Sequence, residues 1–412
     1  MVSDTETLEA PAILPGETRR TEEATCLLCG SEHTEEFLRL EGVPVLCNVT
    51  YDNPQQARAA PRGDIHLCHC PHCRYVFNRR FDPGIVGYDP HYENAQHYSP
   101  RFCEYIQDLV TWLVDTCGIR EKQVVEIGCG DGYFLRMLCE QGDNRGVGYD
   151  PSYRTREKEE LTSEQCRIVP MYYGADRAAR GADLYCFRHV LEHLPHPLGF
   201  LQQLRRDIGT HRTARVYCEV PNAERVLWGE GMWDILYEHH SYFVGSSIRR
   251  IFCQAGFKPV RIWSAFRGDF LCVLARPGEE TNISDEPAFP GLSHPMSVRD
   301  LDARMRSRIA RFVLTIQQWR RARREIVFWG AGSRGVMLLN LLGDAGKAIH
   351  RIVDINERKQ GRYLAGTGQK IVSPESLCKH PPEGVEVVNP VYRREVARTL
   401  GKMNISAEVL SV

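Results

Sequence analysis

Two pairs of cysteines near the N-terminus have the spacing of metal ligands. Cys26-x-x-Cys29 and Cys70-x-x-Cys73 each place two thiols on one short turn, and four thiolates are enough to close a tetrahedral zinc site. The 40 residues between the pairs form a long loop, and Cys68 is an alternative ligand. Long loops cost little closure entropy. Because four protein ligands leave no open position, we expect a structural Zn²⁺; the alternative is two ordinary turns with reduced thiols.

A glycine-rich turn is the strongest indication of a bound small molecule. The segment VVEIGCGDGYFL predicts a strand, a tight turn and the start of a helix. The turn contains Gly128, Gly130 and Gly132; Glu126 precedes it, and Asp150 ends the next predicted strand. Glycines let the backbone approach a ligand closely, and a helix N-terminus favours an anionic group.

The two carboxylates beside this turn suit S-adenosylmethionine. Asp150 lies where a carboxylate holds ribose hydroxyls in nucleotide-binding α/β folds. Glu126 lies two residues before the first glycine, where it can pair with a cationic amino group. We therefore expect S-adenosylmethionine over residues 126–132; the alternative is a tight turn in a ligand-free sheet.

A second glycine turn, GAGSRG, lies in the C-terminal part between Gly330 and Gly335. It follows a predicted strand, and Asp354 ends the next one, which is the spacing of a dinucleotide fingerprint. An NAD-dependent oxidoreductase is therefore a rival class, although no hydride-transfer cluster follows the turn. A small sheet with a glycine turn is the simpler alternative. Asn389, Tyr392 and Arg393, at a later strand end, are expected to face the same cleft.

The elements that position these residues alternate between short apolar strands and helical stretches. Strands are predicted at 124–127, 145–150, 183–187 and 214–220, with a hairpin over 258–275. This alternation indicates α/β architecture with a parallel sheet. A long amphipathic helix is predicted over about 297–324, before a second α/β block.

Composition excludes several classes of protein. The formal net charge of −1 argues against a nucleic-acid binder, and no stretch is apolar enough to span a membrane. The N-terminal segment is polar and acidic, so we expect no secretory signal and a cytoplasmic location. The 16 cysteines, most of them single in apolar segments, fit a reduced protein. We expect a monomer or homodimer.

Two further segments carry a family resemblance. The turn EIGCGDG and the block VLEH, which contains Glu192 and His193, are typical of class I S-adenosylmethionine-dependent methyltransferases. The segment LYEHHSYF, together with the cysteine pairs and the GAGSRG turn, resembles the deoxysugar C-methyltransferase family over about residues 25–412. Members of that family methylate a 4-keto nucleotide sugar at C3.

The resemblance implies an organisation and a function. It implies a Rossmann-like class I methyltransferase domain, an N-terminal zinc-binding module and a C-terminal Rossmann-like α/β domain. The expected bounds are a disordered tail at 1–24, the zinc module at 25–80, the methyltransferase domain at 81–276, a linker at 277–296, and a long helix with the C-terminal domain at 297–412. The small-molecule acceptor is expected to be a keto nucleotide-sugar, methylated through an enolate.

The resemblance also assigns residues. The family's base falls on His239, with Glu238 beside it to orient the imidazole and raise its basicity. His193 and Tyr237 are expected as polar supports near the methyl group. The candidate substrate-binding residues are Tyr92, Tyr98, Ser99, His240 and Asn222. The alternative for His239 and His240 is that they satisfy backbone groups at a helix start.

One departure from the family bears on the acceptor. The family's tyrosine two residues before the Glu, which helps to hold the keto oxygen, is Leu236 here. Tyr237 is adjacent, but a shift of one residue changes the direction of the side chain. An O- or N-methyltransferase acting on a non-sugar acceptor is therefore an alternative, and a catalytically inactive scaffold that binds the cofactor is another.

Overall fold

The computed structural model describes residues 25–88, 91–153, 165–174, 180–228, 231–278, 298 and 300–411. The predicted tail at 1–24 lies outside these residues, as does the predicted linker apart from Pro277 and Gly278. Pro277 corrects the linker boundary, because it is the last residue of a strand.

The described strands fall into three sheets. They are β1 Glu35–Pro44, β2 Thr50–Tyr51, β3 Arg62–His69, β4 Val76–Asn78, β5 Gln123–Ile127, β6 Arg145–Tyr149, β7 Cys166–Val169, β8 Leu184–Arg188, β9 Arg215–Pro221, β10 Ser241–Tyr242, β11 Phe257–Ala265, β12 Phe270–Pro277, β13 Ile326–Trp329, β14 Arg351–Val353, β15 Tyr363–Leu364, β16 Lys370–Val372, β17 Gly384–Val387 and β18 Glu408–Ser411. The described helices are α1 Pro54–Arg58, α2 Pro100–Thr111, α3 Tyr133–Gly142, α4 Pro197–Ile208, α5 Ala223–Leu227, α6 Gly245–Gln254, α7 Leu301–Arg321, α8 Ser333–Leu341, α9 Asp344–Lys347 and α10 Arg393–Lys402.

The central sheet has the strand order β11-β12-β9-β8-β5-β6-β7. Strands β5 to β9 are parallel, whereas β12 runs antiparallel between β9 and β11. The predicted α/β alternation and the hairpin over 258–275 are confirmed. Because β5 has β6 on one side and β8 on the other, the chain order reverses at β5. Ligands bind outside the carboxyl ends of parallel strands at such a point.

The C-terminal sheet repeats this arrangement. Its order is β18-β17-β13-β14-β16-β15-β2, and β13 lies between its parallel neighbours β14 and β17. The chain order therefore reverses at β13, the strand that leads into the GAGSRG turn. Two sheets thus present the edge that suits ligand binding.

The N-terminal sheet is assembled from distant parts of the chain. Its order is β1-β3-β4-β10, and β10 comes from the LYEHHSYF segment. Strand β2, within the expected zinc module, instead pairs with β15 of the C-terminal sheet. Consequently the three expected parts are interleaved in space, and β-pairing fixes their relative positions.

Helix α7 ties the C-terminal part to the N-terminal sheet. Its buried side chains recur every three or four residues, which is the spacing of one helix face; they are Leu301, Met305, Ile309, Val313, Ile316 and Trp319. They share a hydrophobic core with Leu38 and Leu40 of β1. Within the described residues, no helix is both long and apolar enough to cross a bilayer.

Candidate active site

The glycine turn after β5 forms the floor of a large cavity of about 970 Å³, called the large cavity below. Gly128 has φ +72°, and a Cβ there would lie 2.3 Å from Val190 Cγ2, so the turn requires glycine. The Gly130 amide donates to Asp150 Oδ2 at 2.8 Å, which holds the Asp150 carboxylate at the cavity wall. The predicted residues Glu126, Gly128, Gly130 and Asp150 all line this cavity, whereas Gly132 forms the N-cap of α3.

Glu126 is suited to a cationic ligand group. Its side chain is buried, and its Oε2 has no hydrogen-bond partner among the described residues. Burial raises the pKa of this carboxyl to about 8. An ammonium group bound beside it would supply both the missing hydrogen bond and a compensating charge. The chemistry of this wall therefore fits the amino-acid end of S-adenosylmethionine.

A second cavity of about 230 Å³, called the small cavity below, lies between the central sheet and the C-terminal sheet. Residues that follow β8 line one side, and the GAGSRG turn lines the other. The two cavities share lining residues, among them Tyr92, Tyr98, His189 and His193. A ligand in the small cavity therefore lies directly beside one in the large cavity.

Three polar side chains meet where the cavities join. Glu192, His193 and His239 each offer a polar atom, and these atoms lie within 4.8 Å of one another. Carboxylate and imidazole side chains are also of the types that bind metal ions. Burial lowers the pKa of His193 to about 4 and that of His239 to about 3. Both imidazoles are therefore neutral at physiological pH, and neutral imidazole is the form that accepts a proton.

Glu238 lies in the small cavity but does not orient His239 as predicted. Its carboxylate accepts hydrogen bonds from the Tyr92 hydroxyl at 2.7 Å and the Cys47 amide at 3.1 Å. Its Oε2 lies 3.9 Å from His193 Nδ1. The His239 ring is instead held by a hydrogen bond to the backbone of Asp234. The Glu238 carboxylate thus interacts with Tyr92 and Cys47, and not with the His239 ring.

Three of the predicted catalytic and substrate-binding residues line neither cavity. The Tyr237 hydroxyl accepts from the Asp82 amide at 3.0 Å, and its ring stacks on Phe81. His240 Nδ1 bonds the Leu194 carbonyl, while Asn222 caps α5. The segment turns here, with the His239 amide donating to the Leu236 carbonyl at 3.2 Å. Leu236, Glu238 and His239 line the small cavity, and Tyr237 does not.

Tyr92 and Tyr98 line both cavities, as expected of substrate-contacting residues. Ser99 also lines the small cavity, but its hydroxyl has a structural role. It accepts from the Phe102 amide to cap α2 and donates to Glu395 at 2.7 Å.

A buried charge network beneath the site was missed by the sequence reasoning. Arg188 pairs with Glu219 at 3.0 Å, and His189 Nε2 lies 3.2 Å from the same carboxylate. Burial acts to lower the pKa of His189, but the neighbouring carboxylates of Glu192 and Glu219 outweigh it and raise the pKa to about 9. The available signal was the position of Arg188 and His189 at the carboxyl end of a strand.

The GAGSRG turn joins the C-terminal sheet to the site. Arg334 Nε donates to Asp234 Oδ1 at 2.7 Å, and Arg334 Nη2 lies 3.1 Å from Asp269 Oδ2. Asp354 Oδ2 accepts from the Ala331 amide, so the turn holds its own acidic residue. Asn389 and Tyr392 line the small cavity, as expected. Arg393 does not, and its Nη2 instead donates to the Val409 carbonyl at 3.1 Å.

The four predicted cysteine ligands come together at the N-terminal sheet. The Sγ atoms of Cys26, Cys29, Cys70 and Cys73 lie within 4.8 Å of one another. The Sγ–Sγ distance is 3.6 Å both between Cys26 and Cys73 and between Cys29 and Cys70. Sulfur atoms 2.3 Å from a tetrahedral zinc lie about 3.8 Å apart, so this geometry fits that metal. Cys68 is buried but does not belong to the group.

Comparison with known families identifies the fold around the large cavity. A family described as "Methyltransferase domain" matches residues 91–262, which include the glycine turn and Asp150. The chain is an S-adenosylmethionine-dependent class I methyltransferase. A second family, described as "C-methyltransferase C-terminal domain", matches residues 281–407 of this methyltransferase.

Individual relatives extend the similarity. The methyltransferase is 23% identical to the C-methyltransferase NovU of Streptomyces niveus over 382 residues, which are 87% of each chain. It is 29% identical to the tRNA U34 carboxymethyltransferase of Aliarcobacter butzleri over 97 residues, 22% of this chain and 32% of that protein. A solved structure of 1,6-didemethyltoxoflavin-N1-methyltransferase from Burkholderia thailandensis has a TM-score of 0.35 at 15% identity, covering 51% of this chain and 99% of that one.

Proposed function

We propose that this methyltransferase methylates a carbon of a keto nucleotide-sugar through an enolate. The observation that carries the proposal is the position of His239, a neutral buried imidazole that lines the small cavity close to its junction with the large one. The match to a C-methyltransferase C-terminal domain and the likeness to a C-methyltransferase over most of the chain support carbon as the acceptor atom.

His239 is the proposed base. Its bond to the Asp234 backbone fixes one ring nitrogen as the N–H donor. The other nitrogen then carries the lone pair, and it has no hydrogen-bond partner among the described residues. An unoccupied lone pair at the junction of the cavities can remove the proton alpha to a ketone held in the small cavity. His193, which bonds the Tyr88 hydroxyl and the Glu238 carbonyl, stands beside it as a polar support.

The cofactor end of the site is held by carboxylates of this chain. Bound S-adenosylmethionine supplies the methyl group as an electrophilic sulfonium. Glu126 would hold its ammonium group and Asp150 its ribose hydroxyls, which leaves the reacting carbon of the acceptor on the His239 side. Aromatic side chains at the junction, including Tyr92 and Tyr98, exclude water, which protects an enolate from reprotonation.

The cysteine group completes the proposal with a structural zinc. Four thiolates at this spacing would saturate the metal and leave no position for a substrate. The group lies beside β4, which pairs with β10 immediately after His239 and His240. Zinc would therefore stabilise the sheet that carries the catalytic segment. No disulfide joins the cysteines that the structure describes, and we propose a reducing cytoplasm as the location.

The test is turnover of labelled S-adenosylmethionine in deuterated water against 4-keto-6-deoxy nucleotide sugars, amino acids and phenols. We expect methylation of a keto sugar, with solvent deuterium appearing alpha to the ketone in the sugar that has not yet been methylated. His239→Ala should lower both rates by about 10²–10⁴-fold and leave cofactor binding intact. His240→Ala is the matched control, because His240 lines neither cavity and its Nδ1 bonds the Leu194 carbonyl.

Two results would contradict the proposal. Methylation of an amine or a hydroxyl alone, without deuterium exchange, would assign the chain to O- or N-methylation on the same scaffold. Cofactor binding without turnover of any acceptor would favour an inactive binding protein.

A further inference from the structure

A buried lysine faces the small cavity without a carboxylate partner. Lys359 is 5% exposed and lines this cavity. Its Nζ donates to two neutral oxygens, Asn48 Oδ1 at 3.4 Å and the Ala331 carbonyl at 3.3 Å. Among the residues that the structure describes, no carboxylate oxygen lies within 4.0 Å of this ammonium group.

Such a lysine is unusual on physical grounds. Burying an ammonium group is costly unless an opposite charge and full hydrogen bonding compensate it. An ammonium has three donors, and both hydrogen bonds of Lys359 are long for N–H···O bonds. One donor and an uncompensated positive charge therefore remain for a ligand in the small cavity.

The acidic side chain whose charge acts on Lys359 does not neutralise it. Glu238 influences Lys359 through space, but its oxygens accept from Tyr92 and Cys47. Burial raises the pKa of Glu238 to about 7, so this carboxyl is partly protonated at neutral pH. Asn48 connects the two groups, because its Nδ2 donates to the Tyr92 hydroxyl at 3.4 Å.

The wall of the small cavity also lacks a hydrogen-bond donor at position 236. Leu236 lines it and offers only methyl groups, so an oxygen of the acceptor must find its donors elsewhere. We propose that Lys359, supported by Asn48, forms an oxyanion subsite that binds the negatively charged oxygen of an enolate acceptor. This inference rests on the proposed function and assigns a catalytic residue to it.

The charge balance of the step explains the requirement. His239 takes the proton from the carbon alpha to the ketone, and the C–H electron pair becomes a C=C bond. The carbonyl π electrons move to oxygen, which becomes an oxyanion. Lys359 donates a hydrogen bond to that oxygen and keeps its own proton. When the carbon gains the methyl group, the electron pair returns and the C=O bond forms again. The ammonium thus meets its counter-charge only during the reaction, which is the condition for lowering a barrier.

The experiment measures deuterium exchange separately from methylation. A 4-keto-6-deoxy nucleotide sugar is incubated in deuterated water with enzyme saturated with S-adenosylhomocysteine, and exchange at the alpha carbon is followed by NMR. Lys359→Met removes the charge while keeping the length of the side chain. We expect exchange to fall about 10²–10³-fold, with the Kd of S-adenosylhomocysteine unchanged. Lys359→Arg should recover part of the rate. Lys347→Met is the control, since Lys347 is exposed and pairs with Asp344 on the same domain.

Exchange by Lys359→Met at the wild-type rate would overturn the subsite and leave the proposed reaction standing. If the wild-type enzyme exchanges no proton alpha to the ketone, the proposed reaction fails. Binding of oxalate then tests whether Lys359 forms an anion subsite. Oxalate is a small planar dianion, and its binding is measured by calorimetry on the same saturated enzyme. Wild-type binding that Lys359→Met abolishes supports an anion subsite. Equal binding by both proteins, or none by the wild type, refutes it.

Discussion

Arg334→Met tests whether the GAGSRG turn acts as a clamp on the catalytic segment. The guanidinium of Arg334 contacts both Asp234 and Asp269. Asp269 keeps a second cation when Arg334 is removed, because Arg225 Nη1 lies 2.6 Å from its other oxygen. Asp234 has no other cation among the described residues. The substitution therefore leaves one carboxylate unpaired, not two.

The magnitude follows from burial. Removing one partner of a buried ion pair costs about 3–5 kcal/mol, mostly because the remaining charge stays buried. The side chains of Arg334 and Asp234 are 17% and 13% exposed, so water can partly solvate the stranded carboxylate. We therefore expect the lower end, about 3 kcal/mol, in the free energy of unfolding. Turnover should fall as well, because the Asp234 backbone holds the His239 ring.

The assay is urea unfolding followed by tryptophan fluorescence, since Trp233 is buried next to Asp234. Arg120→Met is the matched control; Arg120 pairs with Asp115 at 2.6 Å, but both side chains are more than half exposed. Loss of that surface pair should cost less than about 1 kcal/mol. Equal stability of the two variants, or full turnover by Arg334→Met with normal stability, would refute the clamp.

Two further outcomes are expected. In the cofactor-free protein, the pKa of Glu126 is raised from 4.5 to about 8, so the folded chain keeps a proton that the unfolded chain releases, and stability falls as pH rises across this window. Glu126→Gln should abolish that fall, and S-adenosylhomocysteine should reduce it in the wild type. Thermal unfolding at several pH values checks this, and parallel profiles for the two proteins would contradict it. Metal analysis should find about one zinc per chain in the wild type and much less in Cys70→Ser; Cys378→Ser, at an exposed thiol, should keep the metal. A well-folded wild type without zinc would show that the cysteine group has another role.

The parts of the site that the sequence predicted are local in the chain. Glu126 lies in β5 just before the glycine turn, and Asp150 directly follows the adjacent strand β6. Each cysteine pair likewise lies on one turn. Such patterns are visible in the sequence because each turn, strand end and cysteine pair is a short segment of the chain. The prediction that these residues line one cavity or form one cluster therefore agrees with the structure.

The catalytic segment was harder to read because side-chain direction there depends on the fold. Residues 236–240 are consecutive, yet Glu238 and His239 line the small cavity while Tyr237 and His240 pack against Phe81. A residue type next to the expected position does not reveal the face on which it lies. The side-chain direction of Asn222 was equally hard to predict; its side chain caps the N-terminus of α5.

What the sequence alone determined is the cofactor turn, the α/β class and the cysteine group, since each follows from short-range pattern. Only the tertiary structure decided which side chains face the acceptor. Lys359 and Asn48 are 311 positions apart, and Arg334 and Asp234 are 100 apart. Such pairs meet because the carboxyl edges of two sheets close on one cleft, and that packing is a property of the whole chain.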